Sequence, residues 1–459
     1  MNVASKSYAE LKLYYDNVLN KQLMKSGNLN DVPTPIGCIE EILSRLPPSV
    51  WANPNLTVLD PCCGNGNWHL VVWHLITQHC RNDAGLETLG ARFFFNDVNP
   101  SCLTNVDEVF APAKCNVSCR DYLSAPSTDR YDLIMANPPY AHLMQDGKRS
   151  AKNHNLIGVF LEKALSQLSD CGYLVFLVPD SWMSLSDRNI KYVEMITTQC
   201  TFVHLNVHLA RKWFPKVGST FTWFVAQKKG RTMIPTNPPF LAEGVHMGFK
   251  FNSQCTIPAN KSMMFLPLLL TADVLSIIEK TLGNTVLSQF QIETSSDLHR
   301  HTKKHFFSDV YDRDHPYKVI HTFRKIVYSS RPHKFQAGYK VFISLTNHYA
   351  TLVEKDCGMT QSVAFVRCEN LASAQRVKAL LDHDLYVFLN NICRWGNFNN
   401  IRILQRFPVP PPSCQNETNL YTCFGIDDKE KACIDAFLQA ARNQNKKDKH
   451  ALEEQNTTT

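Results

Sequence analysis

The sequence predicts an α/β fold in which a doubly wound, parallel-stranded sheet is followed by a second, mixed α/β domain. Between about residues 56 and 230, short apolar runs alternate with helical segments, as strands joined by crossover helices require. Those runs are nearly continuous in apolar character, the pattern of strands buried on both faces. After TMIPTNPPFL (232–241) the alternation is lost, and about 245–412 mixes aromatic, basic and β-branched segments with helices. The expected boundaries are 1–240 for the first domain and 241–459 for the second.

LTVLD (56–60) is the first strand, followed by a glycine turn and the helical stretch WHLVVWHLITQHC. RFFFND (92–97), YDLIMAN (131–137), GYLVFLVP (172–179), CTFVHLNVH (200–208) and STFTWFVAQKK (219–229) continue the series. In the second domain NLASAQRVKALLDHDLYVFLNNI (370–392) reads as one helix. RFPVPPP (406–412) ends that domain, and a helix-like DDKEKACIDAFLQAARNQ precedes a polar, frayed tail.

A hydrophobic content of 44% with 19% charged residues excludes wholesale disorder. The longest apolar stretch, MMFLPLLL (263–270), is far short of a membrane span. The 16 cysteines are irregularly spaced and the start, MNVASKSYAELK, is no secretory signal, so a reduced, intracellular protein is expected. Cys115-x-x-x-Cys119 has no matching second pair, which favours buried thiols over a metal site. The net charge of +7 fits a polyanionic partner but is not specific to one. Its distribution says more: Arg300, Lys303, Lys304, Arg313, Lys318, Arg324, Lys325, Arg331, Lys334 and Lys340 face only Asp309, Asp312 and Asp314 across 299–340.

Ligands in such sheets gather beyond the carboxyl ends of the strands, where Asp60, Asp97 and Asn137 stand. LDPCCGNGNWHL (59–70) turns from strand to helix through Gly64 and Gly66, which let the backbone approach a ligand with no Cβ in the way. Asp60 can receive a ligand's positive amino group, Asp97 the two hydroxyls of a ribose, and Asp121, in SCRDYL, the exocyclic amine of an adenine. Each aspartate alone is more often a solvated loop residue; the ordered set suggests a nucleoside cofactor.

Asn137-Pro138-Pro139-Tyr140 also has two readings. Prolines commonly supply a turn that stops a strand. The same rigid loop suits methyl transfer to an unreactive amine such as adenine N6. The Asn137 side-chain oxygen and the Pro138 carbonyl can accept the two amine hydrogens and localise the lone pair, while Tyr140 offers a ring for an extruded base.

In this order, DPCCGNG, the ND ending the second strand, RDYL and NPPY resemble the S-adenosylmethionine-dependent N6-adenine DNA methyltransferases of restriction-modification systems, gamma class. VPTPIGCIEEIL (32–43), CGYLVFLVPDSWM (171–183) and WFPKVGSTFTWFVAQKK (213–229) extend the likeness over roughly 30–230. The resemblance implies a Rossmann-like class I methyltransferase sheet in a catalytic domain, followed by a C-terminal mixed α/β target-recognition domain. It implies S-adenosylmethionine as cofactor, held by Thr34, Asp60, Gly64 and Gly66 at the methionine part, Asp97 at the ribose, and Val98, Asp121 and Tyr122 at the adenine. Asn137, Pro138, Pro139 and Tyr140 become the catalytic set, with Phe214 touching the extruded base. NHNLIGVFLEKAL (153–165) departs from the acidic and aromatic pattern usual before that helix.

The implied partner is double-stranded DNA, contacted by Arg324, Lys325, Arg331, Lys334 and Arg394 from HTFRKIVYSSRPHKF and CRWGNFNN. The setting is a restriction-modification or viral methylation system, in the former case with a separate cognate restriction endonuclease. Only about thirty residues precede VPTP, so the expected chain modifies without cutting. NPPY also occurs in methyltransferases of RNA and of protein glutamine, and a lapsed DNA-binding protein of the same fold is a third reading.

Overall fold

The computed structural model describes residues 1–25, 32–79, 85–124, 126, 128–140, 156–215, 220–230, 237–257, 263–346, 348–396, 398–411, 414 and 420–457. Residues 153–155 of NHNLIGVFLEKAL, 216–219 of WFPKVGSTFTWFVAQKK, 232–236 of TMIPTNPPFL, and Asn397 and Pro412 lie outside the described residues. The chain divides into two compact units: 1–182 with 187–244 and 252–265, and 183–186 with 245–251 and 266–459.

The first unit is built on β1 (Val58–Asp60), β2 (Phe93–Asp97), β3 (Asn116–Cys119), β4 (Tyr131–Ala136), β5 (Leu168–Pro179), β6 (Cys200–Val207), β7 (Phe221–Lys228), β8 (Phe240–His246) and β9 (Phe249–Cys255). Among the described residues they form one sheet in the order β3-β2-β1-β4-β5-β7-β6-β8-β9. The first five are mutually parallel. The sheet as a whole is mixed, which corrects the wholly parallel series expected. β7 inserts between β5 and β6 and runs antiparallel to both, with Phe176 opposite Phe224 and Leu205 opposite the same residue. A hairpin-like return from β6 to β7 needs no crossover helix, and among the described residues the connection holds only the 3-10 turn Leu209–Trp213.

β1 lies between β2 and β4, so the chain leaves it in opposite directions and a crevice opens at the carboxyl ends. Phe93, Phe95, Leu133 and Val175 are buried to within 1% of full burial, packing the sheet against the helix Asn67–His79 and its neighbours. β3 was not evident in the sequence because it is an exposed edge with polar Asn116 and Ser118, so it carries no apolar run.

The N-terminal helix Tyr8–Tyr14 opens on a capping box: Ser7 Oγ accepts Glu10 N and Glu10 Oε2 accepts Ser7 N at 2.9 Å. It passes through a π-helical turn, Tyr15–Leu19, into Asn20–Lys25. The wider turn points fully buried Tyr15 inward, where its hydroxyl donates to the Asn65 carbonyl at 2.9 Å. This ties the N-terminal segment to the glycine turn.

The second unit carries β10 (Glu293–Thr294), β11 (Phe307–Ser308), β12 (Tyr317–Thr322), β13 (Lys325–Ser329), β14 (Tyr339–Ser344), β15 (Thr351–Lys355), β16 (Gly358–Met359) and β17 (Val363–Cys368). They form two sheets, β10-β17-β14-β15 and β11-β13-β12-β16. The single helix expected over 370–392 is two, Leu371–Leu381 and Asp384–Ile392. His383 breaks it: its backbone is extended and its side chain accepts Leu385 N, capping the second helix. The chain's end also differs from the frayed tail expected, since Asp428–Thr457 is helical. No described helix is long and apolar enough to cross a membrane.

Candidate functional site

Strand β1 ends at Asp60, β2 at Asp97, and β4 runs directly into Asn137; the order β2-β1-β4 makes these three neighbours. A cavity of about 320 Å3 lies over them, walled by Thr34, Gly64, Asp97, Val98, Asp121 and Tyr122, with Asn137 and Pro139 at one side. Asp60 and Gly66 are not in that wall. Gly66, at φ +83°, is instead required by packing, because a Cβ there would stand 3.1 Å from the Phe95 ring. Gly64, at φ +52°, carries the left-handed turn and donates its amide to Asp97 Oδ2 at 2.8 Å.

Asp97 therefore holds the turn as well as facing the cavity; its other oxygen accepts Asn99 N at 2.8 Å. Burial raises its pKa even though these amides favour the charged form. Asp60 is 1% exposed, with Oδ1 accepting Cys62 N at 3.0 Å and Oδ2 unpartnered. Burial pushes its carboxyl up to about 8. A buried carboxylate with a free oxygen behind a cavity floor suits a cationic ligand group.

Val98 is 65% exposed, an apolar side chain left open at the cavity, and Asp121 Oδ1 is occupied by Leu123 N at 3.0 Å. Tyr122 stacks on Phe160, centroids 5.5 Å apart, with Lys163 over its ring and bonded to its carbonyl.

Pro138 is buried, fixing the loop, and Asn137 is held at both ends of its amide. Nδ2 donates to Thr34 Oγ1 at 3.1 Å, and Oδ1 accepts the Tyr140 hydroxyl at 2.6 Å. Thr34, expected at the cofactor, thus meets the catalytic candidate as well. Tyr140 packs toward Phe221 at 6.2 Å, and Phe214 lies 4.9 Å from the same ring. Phe214 is only 4% exposed, so it does not present the open face the resemblance implies; it backs Phe221 within the core.

Sequence reasoning missed two supporting groups. Buried Asn67 donates to the Thr34 carbonyl at 2.8 Å and to Asn20 Oδ1 at 3.0 Å, so the loop bearing Thr34 is pinned from the helix that follows the glycine turn. Beyond β5, buried Asp180 Oδ2 meets His208 Nε2 at 3.0 Å and accepts Thr220 Oγ1 at 2.8 Å. His208 is left-handed at φ +67° and leads into the segment carrying Phe214. The strand-end Asp in VPDSWM was the available signal for this cluster.

In the second unit the five expected DNA contacts separate. Arg324 is exposed with no recorded partner among the described residues, and Lys325 is half-exposed, 3.3 Å from Asp309. Arg331 is committed inward: it bonds Asp297 Oδ1 at 2.9 Å and lies over Phe306. Lys334 lies over Phe335, and its amide donates to Asp297 at 2.8 Å. Arg394 is half-buried, and burial lowers its pKa. Arg331 and Arg394 are thus partly buried, whereas Lys334 stays exposed, so the five do not share one environment.

Residues 114–214 match the model of the Eco57I restriction-modification methylase family. The type II methyltransferase M.TthHB8I of Thermus thermophilus is 27% identical over 151 residues, covering 29% of this chain and 31% of the relative. M.VspI of a Vibrio species is 24% identical over 145 residues, 28% of this chain and 33% of the relative. The matched stretch thus spans about a third of these curated relatives. The type IIL restriction-modification enzyme MmeI, solved with DNA, superimposes with a TM-score of 0.50 over 97% of this chain and 75% of its own, at 9% identity, a likeness of fold. Across its central stretch the chain is similar in sequence to restriction-modification methyltransferases, and its first unit carries their Rossmann-like class I sheet.

Proposed function

We propose that the chain is a DNA methyltransferase that transfers the methyl group of S-adenosylmethionine to the N6 amine of an adenine turned out of a specific double-stranded sequence. The observation that carries this reading is the Asn137 amide, fixed by Thr34 and Tyr140 beside a cavity lined by Asp97, with buried Asp60 behind its wall. In this reading residues 1–240 are the catalytic domain and 241–459 the target-recognition domain, as the modification component of a restriction-modification or viral methylation system. A separate restriction endonuclease is its partner in the former case.

The residues present suit the cofactor. Asp60, with its unpartnered buried oxygen, is matched to the cofactor's ammonium, and Thr34 to its carboxylate. Asp97 is matched to the ribose hydroxyls, while exposed Val98 and the Asp121–Tyr122 turn are matched to the adenine. S-adenosylmethionine supplies a methyl group on a sulfonium, electrophilic enough to need no covalent enzyme intermediate.

The chain's task is then to make the amine nucleophilic. Asn137 Oδ1 and the Pro138 carbonyl accept its two hydrogens as the nitrogen becomes tetrahedral, an interaction stronger in the transition state than in the ground state. Tyr140 provides the ring on which the extruded base lies, backed by Phe221 and Phe214. Arg324 and Lys325 supply phosphate contacts.

The test is incubation of the full chain with labelled S-adenosylmethionine and unmethylated DNA, RNA or a glutamine-bearing protein, followed by nucleoside and peptide analysis. Label in N6-methyladenine of DNA is expected. Label confined to cytosine, RNA or protein glutamine would replace this reading.

A further inference from the structure

Resting on that reading, we propose that Thr34 is a positioning residue that turns the Asn137 amide the right way round, and that the ligand carboxylate bound to Thr34 sets the direction. An asparagine amide has a donor end and an acceptor end of nearly the same shape. Only the acceptor end is of use against an amine N–H. Turned over, Asn137 would meet the amine donor to donor.

Both neighbours of the amide are hydroxyls, Thr34 Oγ1 at 3.1 Å and Tyr140 Oη at 2.6 Å. A hydroxyl donates or accepts with equal ease, so in the ligand-free chain each orientation can be fully hydrogen-bonded. A carboxylate on Thr34 removes that freedom, because it only accepts. It takes the single Thr34 proton and leaves Oγ1 nothing but lone pairs. Asn137 must then present Nδ2 to Thr34, and Oδ1 faces the Tyr140 side, where the amine enters.

Thr34 does not escape by moving. Its carbonyl is held by Asn67 Nδ2 at 2.8 Å, and Asn67 is tied in turn to Asn20, all three side chains being buried. Thr34 is also in the cavity wall, within reach of a ligand there. One hydroxyl therefore reports occupancy of the cofactor cavity to the catalytic amide with no movement of the backbone.

The experiment uses the full chain with S-adenosylhomocysteine, which carries the same carboxylate and no methyl group to transfer. In asparagine-selectively 15N-labelled protein, the Asn137 side-chain NH2 pair is assigned by its loss in Asn137→Ala. Its shift is followed as ligand is added, and affinity is measured in parallel by calorimetry. The pair is expected to shift in the wild type and in Thr34→Ser, which keeps a hydroxyl, and to stay put at saturation in the near-isosteric Thr34→Val.

Single-turnover methyl transfer at saturating S-adenosylmethionine and DNA should fall about 10²-fold in Thr34→Val, with Thr34→Ser within about threefold of wild type. A wild-type pair that does not respond to ligand overturns the proposal, whatever the variants do. So does a Thr34→Val protein that, once saturated, turns over at the wild-type rate. A wild type with the full amide response but no label in DNA supports the coupling and overturns the DNA reading instead, so the two fail separately.

Discussion

Asp60 in the first unit and Lys340 in the second are each 1% exposed, but their charges are treated differently. Lys340 Nζ donates to the carbonyls of Gln336, Ala337 and Gly338 at 3.0, 2.9 and 3.1 Å, using every proton the ammonium has. Asp60 keeps one oxygen unpartnered and burial lifts its pKa to about 8. A buried charge satisfied by its own chain holds structure together. One left unsatisfied beside a cavity is a standing cost, retained where a ligand relieves it. The basic residues of 299–340 obey the same division: Lys318 pairs with Glu354 at 2.9 Å and Arg331 with Asp297, whereas Arg324 stays outside.

The sharpest test of this contrast is at the amide. On the proposed reading Asn137→Ala removes the acceptor that the chemistry needs and leaves Asp60 and Asp97 in place, so turnover should fall by about 10²–10³-fold or more. Affinity for S-adenosylmethionine should stay near wild type. Methyl incorporation and calorimetry on the same preparation check this, and wild-type turnover by the variant would remove Asn137 from the mechanism.

Lys340→Met tests the other side. It takes one buried ammonium from three backbone carbonyls and should destabilise the second unit by about 2 kcal/mol, read from denaturant unfolding, with no change in affinity for S-adenosylmethionine. A loss under about 0.5 kcal/mol would mean that water replaces the ammonium and that Lys340 is no internal anchor.

These two residues also mark what the sequence could disclose. Asn137 was legible because it follows an apolar run buried on both faces and precedes two prolines, local features that need no partner. Lys340 was not: it looked like one more cation of a basic stretch, and only the fold brings its three carbonyls around it. The same holds across the molecule. Strands β1, β2, β4, β5 and β6 announced themselves by apolar runs, as did the strand-end Asp60 and Asp97. The edge strand β3 is polar, and the antiparallel insertion of β7 is a matter of pairing order, which composition does not encode. Strand β8 alternates buried and half-buried residues before a turn at Met247 and Gly248, both at positive φ, too short a signal beside a proline-rich segment. The Asn67–Asn20 bond joins residues 47 apart.

A smaller effect separates exposed from committed cations. If Arg324 and Lys325 contact phosphates, changing both to Ala should weaken DNA binding uniformly across sequences and reduce the slope of log K against log salt by about 2. Arg331→Ala should instead lower stability, because it strips Asp297 of its ion-pair partner and leaves its carboxylate only the Lys334 amide among the described residues. An unchanged slope in the double variant would move the phosphate contacts elsewhere on the second unit.

The smallest effect concerns the proton on Asp60. Its carboxyl is raised from the usual range to about 8, chiefly by burial, with Asp97 adding to the rise and the Cys62 amide opposing it. A raised acid keeps its proton in the folded chain where the unfolded chain has released it. Its contribution to stability is thus complete below about pH 4 and is lost as pH climbs toward 8. Asp60→Asn is neutral throughout, so the stability of the ligand-free variant should depend less on pH between about 5 and 8 than that of wild type. A ligand ammonium placed on Asp60 favours the carboxylate, so binding near pH 7 should expel a proton. The calorimetric enthalpy of binding S-adenosylmethionine should then change with the ionisation enthalpy of the buffer in wild type and not in Asp60→Asn. A wild-type enthalpy that ignores the buffer would mean that the unpartnered oxygen of Asp60 is not where the ammonium binds.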